Sequence, residues 1–158
     1  MRHGRPPPFH YTRCGLDDVW LANGWRVKDT EYGRGFAIEN ADRLHRAIAS
    51  AVASGPRPLR GQEARFLRVM LNLSQADMAR LLGVDRATVI RWEKARKKPL
   101  SRMQDIALRA TYAARVDEAA LLPNAIAGLQ EAGGRRHGPD RRAVFRTSKR
   151  EWRESKAA

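Results

Sequence analysis

The chain has 158 residues, 42% of them hydrophobic and 30% charged, and carries a formal net charge of +14 at pH 7. That length allows one real core plus a small accessory domain, and the basic excess attracts phosphate polyanions and releases their counterions. The single cysteine, Cys14, excludes an internal disulfide framework and a cysteine-only zinc site, and no apolar run reaches the ~18 residues that would span a bilayer.

In chain order, residues 1–8 are rich in Pro and Arg and read as disordered; lacking an apolar stretch behind their charge, they do not read as a signal peptide. A cytoplasmic, nucleoid-associated location is the resulting expectation. Residues 9–56 read as a small α+β domain. Val19-Trp20-Leu21-Ala22 and Trp25-Arg26-Val27-Lys28 flank Asn23-Gly24, the preferred pair for a type I′ hairpin turn, which would place Ala22 opposite Trp25 and Trp20 opposite Val27. Phe36-Ala37-Ile38 is a candidate third strand. Asn40 is placed to cap a helix over about 41–53, in which Leu44, Ile48 and Val52 recur every fourth residue, and Gly55-Pro56 ends it.

Residues 57–132 read as helical throughout. Helices are expected over 62–71, 75–82 (capped by Ser74, ended by Gly83) and 86–94 (capped by Asp85). A fourth starts near Pro99 and carries Met103, Ile106, Ala107 and Ala110, and a weaker fifth covers 116–130. Residues 133–158 hold 9 basic and 3 acidic groups among glycines, with Phe145 and Trp152 too sparse for a core, and read as a disordered basic tail. The expected fold is mainly α: a five-helix type of helix-turn-helix domain, a small N-terminal hairpin-plus-helix domain, and that tail.

The positive charge is concentrated where the helices are: residues 57–114 hold 13 basic and 5 acidic groups, a net +8. Within them two capped helices meet at Gly83 with only a few residues between, a spacing that suits a helix-turn-helix whose second helix enters the major groove. Met78, Ala79, Leu82, Val84, Val89 and Trp92 divide to the inside, Trp92 as a core residue. Arg86, Ala87, Thr88 and Arg91 remain outside at the start of the second helix. An Arg fork suits guanine, and an Ala or Thr methyl suits the thymine methyl.

The combination Leu73-Ser74-Gln75, Met78-Ala79, Leu82-Gly83-Val84, Thr88-Val89 and Arg91-Trp92-Glu93, followed by basic residues and Pro99, resembles the Cro and lambda-repressor (XRE) family of helix-turn-helix proteins over residues 59–108. The resemblance implies that Gln75 touches phosphate and that Arg86, Ala87, Thr88 and Arg91 face bases, with Arg96, Lys97 and Lys98 on phosphates. One departure stands out: the family usually turns left-handed at a Gly shortly after its Trp-Glu pair, where this chain has Lys94-Ala95. The overall layout also resembles the MqsA-type antitoxin regulators, without their zinc-binding cysteines.

No catalytic constellation is found. His3, His10, His45 and His137 are scattered, Asp17-Asp18 would point to opposite faces of a strand, Ser50 and Ser54 stand alone, and Gly33-Arg34-Gly35 is too short for a phosphate loop. The reading is therefore a non-enzymatic regulator with no cofactor or metal, binding double-stranded DNA as a homodimer and repressing transcription. Two alternatives accompany it: an antitoxin whose N-terminal domain binds a toxin, and an RNA-binding accessory protein acting through the basic tail.

Overall fold

A computed structural model describes residues 6–116 and 142–155. Its elements are β1 (Phe9–His10), β2 (Val19–Leu21), β3 (Trp25–Thr30), β4 (Gly33–Ile38), α1 (Ala41–Ser54), α2 (Gly61–Met70), α3 (Gln75–Leu82), α4 (Arg86–Lys94), α5 (Arg102–Arg115), β5 (Ala143–Ser148) and β6 (Glu151–Ser155). They fall into two compact units, Met1–Ile48 with Asp140–Ala158, and Ala49–Pro139. The division lies within α1, upstream of the Gly55-Pro56 linker where the sequence pattern puts it. Of the expected helix over 116–130 all but Val116, and of the expected tail residues 133–141 and 156–158, lie outside the described residues.

In the first unit, four strands make one sheet in the order β1-β2-β5-β6, with β2 and β5 parallel and the other pairs antiparallel. This corrects two expectations. The Asn23-Gly24 hairpin does not form, because β2 lies between β1 and β5, while β3 pairs with β4 in a separate two-stranded ribbon closed by Thr30 opposite Gly33. Asn23-Gly24 instead stitches β2 to β5. The Asn23 amide donates to the Thr147 carbonyl and accepts from the Thr147 N–H, both at 2.9 Å, and Ala22 N–H donates to Phe145 O at 2.8 Å. Gly24 is left-handed (φ +76°), and a Cβ there would lie 2.6–2.7 Å from the Trp152 ring and the Thr147 methyl.

The second correction concerns the tail, whose residues 143–155 are not disordered. They form the β5–β6 hairpin, with Phe145 and Trp152 buried and the Trp152 indole N–H donating to Glu39 O at 2.8 Å. Two large apolar residues are too few to signal a core locally, but across the sheet they join Leu16, Val19 and Leu21, also buried. Nearby, the buried Tyr11 hydroxyl and His45 Nε2 share a hydrogen bond of 2.8 Å. Burial pushes the Tyr11 phenol up and the His45 imidazole down, so both neutral forms are favoured where they meet.

The helix α1 follows Asn40 (φ +47°), whose carbonyl accepts the Leu44 N–H at 3.0 Å; Leu44 and Ile48 are fully buried and Val52 half so. In the second unit, Leu59, Phe66, Leu67, Met78, Val89, Leu100, Leu108 and Tyr112 supply the core. One buried cation organises its edge. Arg109 of α5 pairs with Asp105 one turn earlier (2.6 Å), and its guanidinium donates to the carbonyls of Val52, Ala53, Gly55 and Arg57. Val52 and Ala53, whose carbonyls lie in the last turn of α1 and have no helical donor, are thereby satisfied by a side chain.

Candidate nucleic-acid interface

The expected two-helix unit forms with its expected bounds. Ser74 Oγ accepts the Asp77 N–H at 3.0 Å, and the Asp77 carboxylate accepts from the Ser74 N–H and hydroxyl. Those bonds from Ser74, helped by Arg80, hold the Asp77 carboxyl below the usual carboxylate range. At the other end Gly83 adopts φ +66°, and the Val84 N–H closes back onto Ala79 O at 3.0 Å, a turn that a side chain at residue 83 would strain. Asp85 stands at the start of α4 as expected, although its side chain makes no capping bond; its carbonyl accepts from Thr88 N–H.

A network that spacing along the chain does not announce fixes how α4 sits. Glu93, near the end of α4, accepts from Arg68 of α2 (Nε at 2.5 Å, Nη2 at 3.1 Å) and from the Gln75 amide of α3 at 2.9 Å, while Arg68 Nη1 also donates to Leu73 O. One carboxylate thus ties three helices together. Its side chain is only 8% exposed, so the attraction is little screened by solvent. Gln75, expected on phosphate, is half-buried with its amide turned to Glu93.

The Lys94-Ala95 departure is absorbed without a left-handed residue. Ala95 has φ −83° and ψ 62°, and the chain then folds so that Arg96 O and Lys98 O accept the first N–H groups of α2, from Gln62 (3.0 Å) and Gly61 (3.1 Å). The glycine this junction requires is Gly61: a Cβ there would lie 1.8 Å from Trp92 O and 2.8 Å from Ala95 O. The end of α4 rests directly on the backbone that starts α2.

What this scaffold presents outward is the start of α4. Arg86, Ala87 and Arg91 are exposed, and half-buried Thr88 accepts a 3.0 Å hydrogen bond from Arg91 Nη2 on the same face. Neither Arg86 nor Arg91 has a carboxylate partner among the described residues. Val89 is fully buried, Met78 and Ala79 nearly so, and Leu82, Val84 and Trp92 are half-buried on the inner side. Lys97 and Lys98 are exposed and Arg96 half-buried. Lys98 lines an open cleft with Arg91, Lys94 and the start of α5 at Ser101, whose hydroxyl accepts the Gln104 N–H at 3.4 Å. The structure therefore brings Arg86, Ala87, Thr88 and Arg91 onto one face, and sets Lys98 beside Arg91 at its edge. Gln75, on α3, is held by its amide bond to Glu93.

Among the described residues, no group of three or more His, Cys, Asp or Glu side chains is placed to hold a metal ion, and no helix is long and apolar enough to cross a membrane. No curated protein and no solved structure matches the chain. The helix-turn-helix family model matches residues 65–108, the span that holds α3, the Gly83 turn and α4. Over those residues the chain is similar to helix-turn-helix proteins of the XRE type, that of Cro and lambda repressor, and this similarity supports a DNA-binding transcription regulator.

Proposed function

We propose that the chain binds an operator in duplex DNA as a homodimer and represses transcription by occupying it, without a reaction, cofactor or metal of its own. The observation that carries this reading is the outer face of α4, where Arg86 and Arg91 are exposed beside Ala87 and Thr88, with no carboxylate partner among the described residues. The guanidinium forks read guanine edges in the major groove, and the small methyl groups leave room for thymine. Gln75, Arg96, Lys97 and Lys98 are the phosphate-side contacts of the same docking. Thr88 already holds Arg91 at one end, so less rotamer freedom is lost when Arg91 meets a base.

Arg86→Ala and Arg91→Ala are each expected to cost about 1–3 kcal/mol on the preferred duplex and to relax the preference at one base pair, while leaving binding to random duplex nearly unchanged. Binding titrations on both duplexes measure this. Equal affinity of parent and variants for the preferred duplex would remove the assignment.

A second reading adds a protein partner, such as a toxin, at the first unit. It is favoured by the β3–β4 ribbon, where Val27 and Phe36 are exposed and Tyr32 at the tip is 98% exposed.

A further inference from the structure

The first unit carries a cluster of cations that the helix-turn-helix does not use. In the β5–β6 ladder Arg146 lies directly opposite Arg153, so both side chains project from the face of the sheet opposite to buried Phe145 and Trp152. Like charges placed directly opposite weaken a strand pair. Glu151 relieves only part of this, pairing with Arg153 at 3.1 Å; Arg146 has no carboxylate partner among the described residues. The turn between the strands adds Lys149 (φ +50°) and Arg150 (φ +68°), both left-handed. A two-residue turn of this kind prefers Asn-Gly, and here two basic L residues occupy it. Repulsion and backbone strain held together on one ribbon are the pattern of a binding surface whose ligand offsets them.

The other end of the same face indicates what kind of ligand fits. Strand register sets His10, Trp20 and Val144 in one row. The His10 ring stacks on Trp20 at 4.3 Å with a 7° tilt, and the Arg142 guanidinium sits 4.5 Å from the Trp20 ring. With β1 and β5 flanking β2, the indole is engaged from both sides by its own chain. It does not offer the bare aromatic platform on which single-stranded bases stack. What remains available is fixed positive charge at strand spacing, which suits the phosphates of a duplex.

We propose that the outer face of this sheet, through Arg142, Arg146, Lys149, Arg150 and Arg153, is a second phosphate-binding surface for duplex DNA, adding affinity without reading sequence. It takes its choice of ligand from the DNA-binding reading of the other unit, and is tested apart from it.

The test compares the full-length parent with R146A/R153A, K149N/R150G and R86A/R91A, titrating salt on the preferred duplex, a random duplex and an RNA hairpin. K149N/R150G removes two charges while installing the preferred turn pair, so it should melt at a higher temperature than the parent and still bind DNA more weakly. Both ribbon variants should lose affinity for the two duplexes by the same factor. The log–log salt slope should flatten by about 0.9 for each phosphate left without its cation, up to about 1.8 per double variant. Unchanged slope and affinity, a loss confined to one duplex, or a loss confined to the RNA would each overturn the proposal. R86A/R91A separates the two readings. If it keeps the parent's preference for the selected duplex, the assignment of α4 fails, while the ribbon variants are still read on random DNA.

Discussion

Arg109→Ala is expected to destabilise the helical unit by about 3–5 kcal/mol, a large part of the ~5–15 kcal/mol that holds a typical domain together. Arg109 and Asp105 are 2% and 4% exposed, and the guanidinium serves one carboxylate and four main-chain carbonyls. Alanine leaves the Asp105 charge buried without that cation and strips the end of α1 of its donors. Lysine is no remedy, because an ammonium cannot reproduce the planar five-donor fork. Asp105→Asn combined with Arg109→Ala should recover part of the loss, since the buried negative charge goes with its partner. Denaturant melts of the three variants measure this. A shift below about 1 kcal/mol for Arg109→Ala would mean that the cluster does not hold the unit together.

Gly61→Ala is the second large effect, and its sign is diagnostic. On helix propensity alone, alanine inside α2 would stabilise by about 1 kcal/mol. The structure predicts the reverse. The added Cβ would sit 1.8 Å from Trp92 O and 2.8 Å from Ala95 O, both main-chain atoms that no rotamer change can move. Either α2 or the end of α4 must shift, straining the bonds to Arg96 O and Lys98 O as well. A loss of about 1–3 kcal/mol or more follows, and DNA affinity should fall even at temperatures where the variant stays folded, because α4 is displaced. A variant that melts at or above the parent's temperature would contradict this packing.

The helix-turn-helix was legible because its signals are local. Ser74 and Gly83 act within one turn of the helix they bound, and Met78, Ala79 and Val89 recur with the helical period, so α3 and α4 can be placed without any tertiary information. The face formed by Arg86, Ala87, Thr88 and Arg91 follows from the same period. What escaped was long-range. Glu93, Arg109 and Gly61 owe their roles to partners that sequence spacing does not connect: Arg68, the end of α1, and the carbonyls of α4. The N-terminal sheet escaped for the same reason. Asn23-Gly24 carries a strong local hairpin signal, yet its partner is Thr147, 124 residues away, and the strand that supplies it has only Phe145 and Trp152 to announce it. A parallel neighbour such as β5 leaves no turn to read.

Whether α4 reads the bases of duplex DNA is decided by a selection of bound duplexes from a random pool at physiological salt, run in parallel with the parent and with R86A/R91A. The parent should enrich a common sequence containing G·C pairs at the positions the two arginines reach. The double variant should enrich it weakly or not at all while still retaining DNA. A parent that enriches no sequence, or a double variant that enriches the same one as strongly, would show that α4 does not read bases.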